Sequence, residues 1–157
     1  MARLQANEVK SQFYGVGVYH FSNEANIGTL WRSAFVLNAS FIFTLGKPYE
    51  MQGSDVYQTW SKIPLYNYED IENLKANLPY STQLIGVELD EKAQALENFQ
   101  HPDRAVYLLG SEIHGLPDKI IDQCHRIIQL PGDLSLNVAS TGSIVMYDRH
   151  LKLSGDS

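Results

Sequence analysis

Ala105-Val106-Tyr107-Leu108-Leu109 is an apolar run that stops at a glycine and leads into Gly110-Ser111-Glu112-Ile113-His114-Gly115-Leu116-Pro117. A short apolar run bounded by turn residues reads as a strand covered on both faces, as the buried strands of a parallel sheet are. Gln83 to Glu88 and Arg126 to Leu130 have the same character. Nearer the start, Gln12 to Tyr19 is rich in aromatic and β-branched residues and reads as a first strand, with Gly15 and Gly17 suggesting that another backbone packs closely against it. After it, Ile27, Leu30, Trp31, Ala34, Phe35 and Asn38 recur at helical spacing with one polar exception, so a helix follows, N-capped by Asn23 or Asn26. Strands alternating with helices predict an α/β domain whose mainly parallel sheet is flanked by helices.

Working outward, Phe41 to Leu45 reads as a second strand and Gly46 to Ser54 as a long irregular loop, a type that often carries function. Asp55 to Trp60 is expected to form one or two helical turns, Ile63 to Tyr66 a short strand broken at Pro64, and Tyr68 to Asn77 a helix ended by Pro79. The last helix is expected from about Asn137 to Lys152, capped by Ser135 or Asn137, with Ser154 to Ser157 as a frayed tail. No internal repeat or low-complexity tract interrupts this pattern.

The 157 residues fit a single domain, expected over 1–157, and can bury roughly 70% of the unfolded surface. Twelve Lys and Arg against 18 Asp and Glu give a net charge of −6, so no global positive field attracts a polyanion. The single cysteine, Cys124, excludes an intramolecular disulfide, and no uninterrupted apolar run approaches the roughly 18 residues of a membrane span. Met1 to Gln5 lacks the apolar core of a signal peptide, and the expectation is a soluble, cytoplasmic protein of a reducing compartment.

Several chemistries drop out. There is no G-x-x-x-x-G-K-[ST] loop, no G-x-G-x-x-G turn between strand and helix, and Ser111 does not sit in G-x-S-x-G. The five histidines, His20, His101, His114, His125 and His150, show no ligand spacing, so no metal is expected and each histidine is read as solvated or singly hydrogen-bonded.

Three segments gather glycine, proline and small polar residues where open α/β sheets bind ligands, beyond the carboxyl ends of strands. Asn26-Ile27-Gly28-Thr29-Leu30-Trp31-Arg32 puts an asparagine at a helix start and an arginine within a mostly apolar stretch. That arginine either snorkels to the surface, pairs with Glu24 or Glu112, or serves a ligand. Leu108 to Pro117 reads either as a loop that admits a ligand to the backbone or as a plain strand-to-helix turn with Pro117 at the first helical position. Leu130-Pro131-Gly132-Asp133-Leu134-Ser135-Leu136-Asn137 is a further strand-to-loop-to-helix turn.

In this order the three segments resemble the SpoU/TrmH family of RNA ribose 2'-O-methyltransferases, within the SPOUT superfamily. NIGTLWRSA is similar to the first family motif, LLGSEIHGLP to the second and IIQLPGDLSLNVASTGSIVMYD to the third, and the likeness covers residues 13 to about 150. Three motifs in series at compatible separations are far more specific than any one of them.

The resemblance implies an α/β sheet with a C-terminal deep trefoil knot, a bound S-adenosylmethionine, and a homodimer with the active site near the subunit interface. It assigns cofactor binding to Gly110, Ile128, Leu130, Ser135 and Leu136, and catalysis with RNA positioning to Asn26, Arg32, Glu112, Ser135 and Asn137. It implies methyl transfer to a ribose 2'-hydroxyl of RNA, tRNA being preferred over rRNA. The alternatives are a catalytically silent RNA- or adenosylmethionine-binding module of the same fold, or an α/β enzyme of small metabolites. A guanidinium carries five donors and no acceptor, so Arg32 is assigned to gripping a phosphate and stabilising a developing alkoxide, with general base as the alternative. The turn after Pro131 is shorter than the family's cofactor loop, and Gly132 stands where methionine is customary. No extra RNA-binding domain is expected. Arg3, Lys10, Arg149 and Lys152 are read as basic side chains outside the core, and Phe13, Tyr14, Trp31, Phe35 and Tyr147 as a source of dimer contacts.

Overall fold

Among the described residues seven strands form one sheet, and each of its pairings is parallel. They are β1 (Phe13–His20), β2 (Phe41–Gly46), β3 (Leu65–Tyr68), β4 (Gln83–Val87), β5 (Gln94–Ala95), β6 (Arg104–Leu109) and β7 (Arg126–Gln129). Their spatial order is β3-β2-β1-β6-β4-β7-β5. The α-helices of the described residues are α1 (Ile27–Val36), α2 (Ile71–Ala76), α3 (Asp118–Ile121) and α4 (Val138–Ser154). The computed structural model describes residues 12–20, 26–53, 55, 58–111, 114–132 and 136–154. The frayed tail expected at Ser154 to Ser157 lies outside these beyond Ser154, which is still helical.

Alternation along each strand divides the core in two. Val16, Val18, Ile85 and Tyr107 face α1 and α4, where Leu30, Trp31 and Val145 are fully or almost fully buried. Phe43, Leu84, Val106 and Leu108 face α2 and α3, against Ile71, Leu74, Ile120 and Ile121. A sheet covered on both faces explains the near-continuous apolar strands. Gly142 permits the closest approach of α4, since a Cβ there would collide with Leu30 and come within 3.1 Å of Leu109.

Several local expectations change. The neighbour that requires Gly15 and Gly17 is not a backbone: these residues pair in register with Phe41 and Phe43, whose rings occupy the space of the missing Cβ atoms. Asn38 lies beyond α1 at φ 66°, and Ala39 and Asn38 donate their N–H groups back to Ala34 and Phe35, which ends the helix with a left-handed residue. The third strand starts after Pro64, whose carbonyl accepts the Ile42 N–H, and continues to Tyr68 in register with Leu45. The following helix is therefore delayed to Ile71, where Asp70 caps it by accepting the Asn73 N–H at 2.8 Å. Within the turns expected over 55–60, residues 56 and 57 lie outside the described residues, and the described part is a 3-10 turn, Thr59–Ser61, held by the Asp55 carboxylate accepting the Thr59 N–H. Pro117 precedes α3 instead of opening it. Two residues, Gln94 and Ala95, add an edge strand that no periodicity announced, because pairing with Ile128 and Gln129 creates it.

The largest correction concerns charge. Arg149 is 4% exposed, not outside the core. Its guanidinium donates to the carbonyls of Pro102 (2.6 Å), Asp103 (2.9 Å) and Phe13 (3.3 Å) and to the Tyr107 hydroxyl (3.1 Å). Lys152 donates to the carbonyls of Leu96 and Phe99 and pairs with Asp148 at 2.8 Å. Both cations thus pin α4 to the chain around the start of β6. His101 is neither solvated nor singly bonded: its Nδ1 meets the Tyr107 hydroxyl at 2.6 Å and its Nε2 meets Asp148 at 2.7 Å. The Asp148 carboxylate only accepts, so neutral His101 carries its proton on Nε2, and its Nδ1 accepts from the Tyr107 hydroxyl, which in turn accepts from Arg149. Burial lowers the His101 pKa against the attraction of Asp148, and burial pushes that of Tyr107 up to about 12. Tyr14 and Trp31 are core residues, 7% and 0% exposed, which removes them from any subunit contact.

No helix among the described residues is long and apolar enough to cross a membrane.

Candidate functional site

β6, β4 and β7 lie side by side, so the connections leaving their carboxyl ends converge. They enclose a cavity of about 420 Å³, within the range of small-molecule sites. Glu88, Leu89 and Asp90 follow β4 into its wall, Gly110 and Ser111 follow β6, and Leu130 and Pro131 follow β7. Val138 and Thr141, from the first turn of α4, close the remaining side with the half-exposed Leu136. Among the described wall residues Glu88, Asp90 and Asp118 are acidic, and none is Lys or Arg.

The segment after β6 is a tight reversal. Ser111 accepts the Gly115 N–H through its carbonyl at 2.8 Å and the His114 N–H through its hydroxyl at 3.0 Å. Gly115 adopts φ +61°, a conformation natural to glycine. The Glu88 carboxylate lies against this reversal, accepting the Leu116 N–H at 2.7 Å through Oε2 and its neighbour Leu89 N–H at 3.0 Å through Oε1. On the opposite wall Asn137 caps α4, its Oδ1 accepting the Ser140 N–H at 2.9 Å. Burial pushes the Cys124 thiol up to about 11, so it stays protonated at neutral pH and is no nucleophile.

The residues expected at the site divide into five groups. Gly110, Leu130 and Leu136 line the cavity. Ile128 is fully buried within the sheet and is not part of the wall, although its carbonyl accepts the Glu88 N–H. Asn137 stands at the start of α4 beside the cavity. Glu112 and Ser135 lie outside the described residues, as do Glu24 and Asn23.

Asn26 and Arg32 belong to a separate place. Asn26 occupies the N-cap position of α1 in a left-handed conformation, φ 76°, with no capping bond from its side chain. The Gly28 N–H is accepted instead by the carboxamide of Gln52, from the long loop after β2, at 3.0 Å. Tyr49 of the same loop packs edge-on against Trp31. Arg32 is exposed on α1, and neither it nor Asn26 is part of the cavity wall within one chain. Among the described residues no group of three or more His, Cys, Asp or Glu is arranged to hold a metal ion.

Glu88 and Asp90 were missed from the sequence. The motif reading took the ends of β6 and β7 and treated Glu88 merely as the end of a strand. The rule that ligands lie beyond strand carboxyl ends applied equally to β4, and a carboxylate closing an apolar run was the available signal.

The model of the SpoU rRNA Methylase family matches residues 15–147. Among solved structures, the chain is similar to the A. aeolicus TrmH/SpoU tRNA modifying enzyme, with a TM-score of 0.80 at 13% identity over 98% of this chain and 84% of that one. It is similar to a protein solved for insight into the 2-OH methylation of C/U34 on tRNA, with a TM-score of 0.78 at 18% identity over 92% of this chain and 99% of that one. A third is the SpoU methyltransferase AviRb from Streptomyces viridochromogenes in complex with AdoMet, with a TM-score of 0.76 at 22% identity over 92% and 62% of the two chains. At these identities the likeness establishes the fold. In sequence, 68 residues are 29% identical to the tRNA (guanosine(18)-2'-O)-methyltransferase TARBP1 of Mus musculus, over 41% of this chain. The match spans 4% of the length of that curated relative.

Proposed function

The chain belongs to the SpoU rRNA methylase family, and from that premise we propose that it transfers a methyl group from S-adenosylmethionine to a ribose 2'-hydroxyl of RNA, with tRNA preferred over rRNA. The observation that carries the reading is the cavity beyond β4, β6 and β7, whose wall is made from the second and third motif segments through Gly110, Leu130 and Leu136.

The donor set fits this cofactor. S-adenosylmethionine, when bound, supplies a methyl group on a positively charged sulfonium. A wall with Glu88, Asp90 and Asp118 and no Lys or Arg among its described residues suits a cation and disfavours a phosphate-bearing nucleotide. Gly110, whose Cβ position is filled by the backbone of Gly115 and Leu116, keeps the loop backbone close to the cavity. Leu130 and Leu136 give it apolar surface. Ile128 acts only through its backbone, behind the wall. Ser135 is assigned to the cofactor by its motif position alone.

The acceptor side is assigned to Asn26 and Arg32. Arg32 grips an RNA phosphate and stabilises the alkoxide that develops as the hydroxyl passes its proton to solvent water, while Glu112 orients Arg32; the alternative is that Arg32 itself takes the proton as general base. Asn137 holds the opening of α4 and helps fix the ribose, and holding the hydroxyl in line with the methyl group supplies much of the rate. Since Arg32 and Asn26 stand off the cavity within one chain, the reading includes a homodimer that brings the two groups together. Its support is an apolar face: Phe35 and Val36 on α1, with Ile144, Tyr147 and Leu151 on α4, are 42–65% exposed. A C-terminal trefoil knot belongs to the same reading. The reading places the work in the cytoplasm, in one domain over 1–157.

The test is incubation of the purified protein with methyl-labelled S-adenosylmethionine and, separately, bulk tRNA and rRNA. Incorporation into tRNA above rRNA supports the proposal. Cofactor binding with no incorporation into either RNA points to the silent module.

A further inference from the structure

We infer that Glu88 is a positioning residue of this cavity, whose carboxylate holds the backbone of Gly115 and Leu116 against Gly110 in the shape that receives the cofactor; the inference rests on the adenosylmethionine reading of the site. Glu88 lies in none of the three motif segments, and its partner Leu116 is 28 residues further along the chain. Yet it joins all three walls. Its N–H donates to the Ile128 carbonyl of β7 at 3.0 Å, its chain continues β4, and its side chain reaches the loop after β6. The 2.7 Å bond to Leu116 has the length of a charge-assisted hydrogen bond to a carboxylate.

The two glycines of the second motif segment lie against this carboxylate. A Cβ on Gly115 would run into Glu88 Oε2. A Cβ on Gly110 would lie 2.7 Å from the Gly115 carbonyl carbon, 2.8 Å from the Leu116 nitrogen and 2.9 Å from Glu88 Oε2. Glycine at both positions and glutamate at 88 are therefore complementary parts of one packed contact. The groups it fixes are themselves cavity wall, since Gly110, Gly115 and Leu116 all face the cavity. Loss of the carboxylate frees the Leu116 N–H and opens a gap behind the glycines, which loosens the wall. Glutamine retains one acceptor oxygen for two N–H donors, so it restores part of the function.

The experiment compares Glu88→Ala, Glu88→Gln and, as an exposed control, Glu97→Gln. Each is followed by calorimetric titration with S-adenosylmethionine, by methyl-transfer kinetics and by hydrogen exchange at the Leu116 amide. Glu88→Ala is expected to weaken cofactor binding and raise the cofactor KM roughly 10- to 100-fold, the size expected for a lost hydrogen bond to a charged group. At saturating cofactor, kcat is expected to stay within about threefold, since the reacting groups are untouched. Exchange at Leu116 should quicken at least about tenfold while Val106 and Leu108 in β6 stay protected. Glu88→Gln should fall between wild type and Glu88→Ala, and it is the decisive variant if alanine prevents folding. Unchanged cofactor affinity and unchanged Leu116 exchange overturn the inference, as does an equal loss of kcat and RNA affinity with cofactor binding intact. A wild-type protein that fails to bind S-adenosylmethionine overturns the cofactor reading instead, and the Leu116 amide still decides whether Glu88 holds the loop.

Discussion

Replacing Arg149 with leucine removes a buried guanidinium while keeping an apolar stem against Tyr14, over whose ring the guanidinium now lies at 5.1 Å. Four acceptors lose their donor: the carbonyls of Phe13, Pro102 and Asp103, and the Tyr107 hydroxyl. Each bond to a charged group contributes a net 1.5–3 kcal/mol by general experience, but Pro102 and Asp103 are accessible enough for water to replace part of the loss. The expected destabilisation is about 3–5 kcal/mol, as for breaking a buried charged network from one side. For a chain of this size that lowers Tm by roughly 6–20 °C. Urea unfolding of wild type and variant at one fixed protein concentration measures it, with RNA affinity taken on the folded fraction at low temperature. A destabilisation below about 1 kcal/mol together with lost RNA binding would refute the reasoning and return Arg149 to the RNA-facing surface.

Asn137→Ala should cost about 1 kcal/mol through loss of the α4 cap and weaken S-adenosylmethionine binding too, because Val138 and Thr141 of the first turn are cavity wall; unfolding and calorimetry on one preparation check both effects. Since burial holds the folded His101 pKa below its unfolded value near 6.5, the unfolded chain takes up a proton that the folded chain refuses, and stability falls as pH drops below about 6.5 by at most roughly 1.4 kcal/mol per pH unit until the folded pKa is passed. Urea midpoints at mildly alkaline and mildly acidic pH should differ less in His101→Gln than in wild type, and an undiminished difference would assign the loss to other groups. Tyr147→Asp with Leu151→Asp should convert a dimer into a monomer by light scattering at micromolar concentration, and a monomeric wild type would contradict the subunit arrangement.

The sheet was legible because its signals are local. Ala105 to Leu109 and Arg126 to Gln129 are apolar on both faces, and the turn residues that end them mark the cavity rim directly. Two kinds of feature were not legible. Arg149 and Lys152 read as surface cations because charge on a C-terminal helix is ordinarily solvated, and only the tertiary approach of the carbonyls of 102 and 103 and of 96 and 99 supplies their partners. Glu88 escaped because its partners arrive from a loop distant in sequence, and no spacing rule links them. Gly15 and Gly17 were recognised as close contacts, but the identity of the neighbour required the register of β1 against β2. The motif residues Gly110, Leu130 and Leu136 were found by resemblance and fall together on the cavity, whereas Arg32 and Asn26 were found by the same resemblance and stand apart from it.

The central claim is methyl transfer to a ribose hydroxyl by a site that needs Arg32. The most direct measurement gives methyl-labelled S-adenosylmethionine and tRNA to wild type and to Arg32→Ala, digests the RNA to nucleosides and locates the label. The account predicts a 2'-O-methylated nucleoside from wild type, with turnover by Arg32→Ala lowered at least about a hundredfold while its S-adenosylmethionine affinity stays within about threefold. Label on a base, or near wild-type turnover by Arg32→Ala, would contradict it.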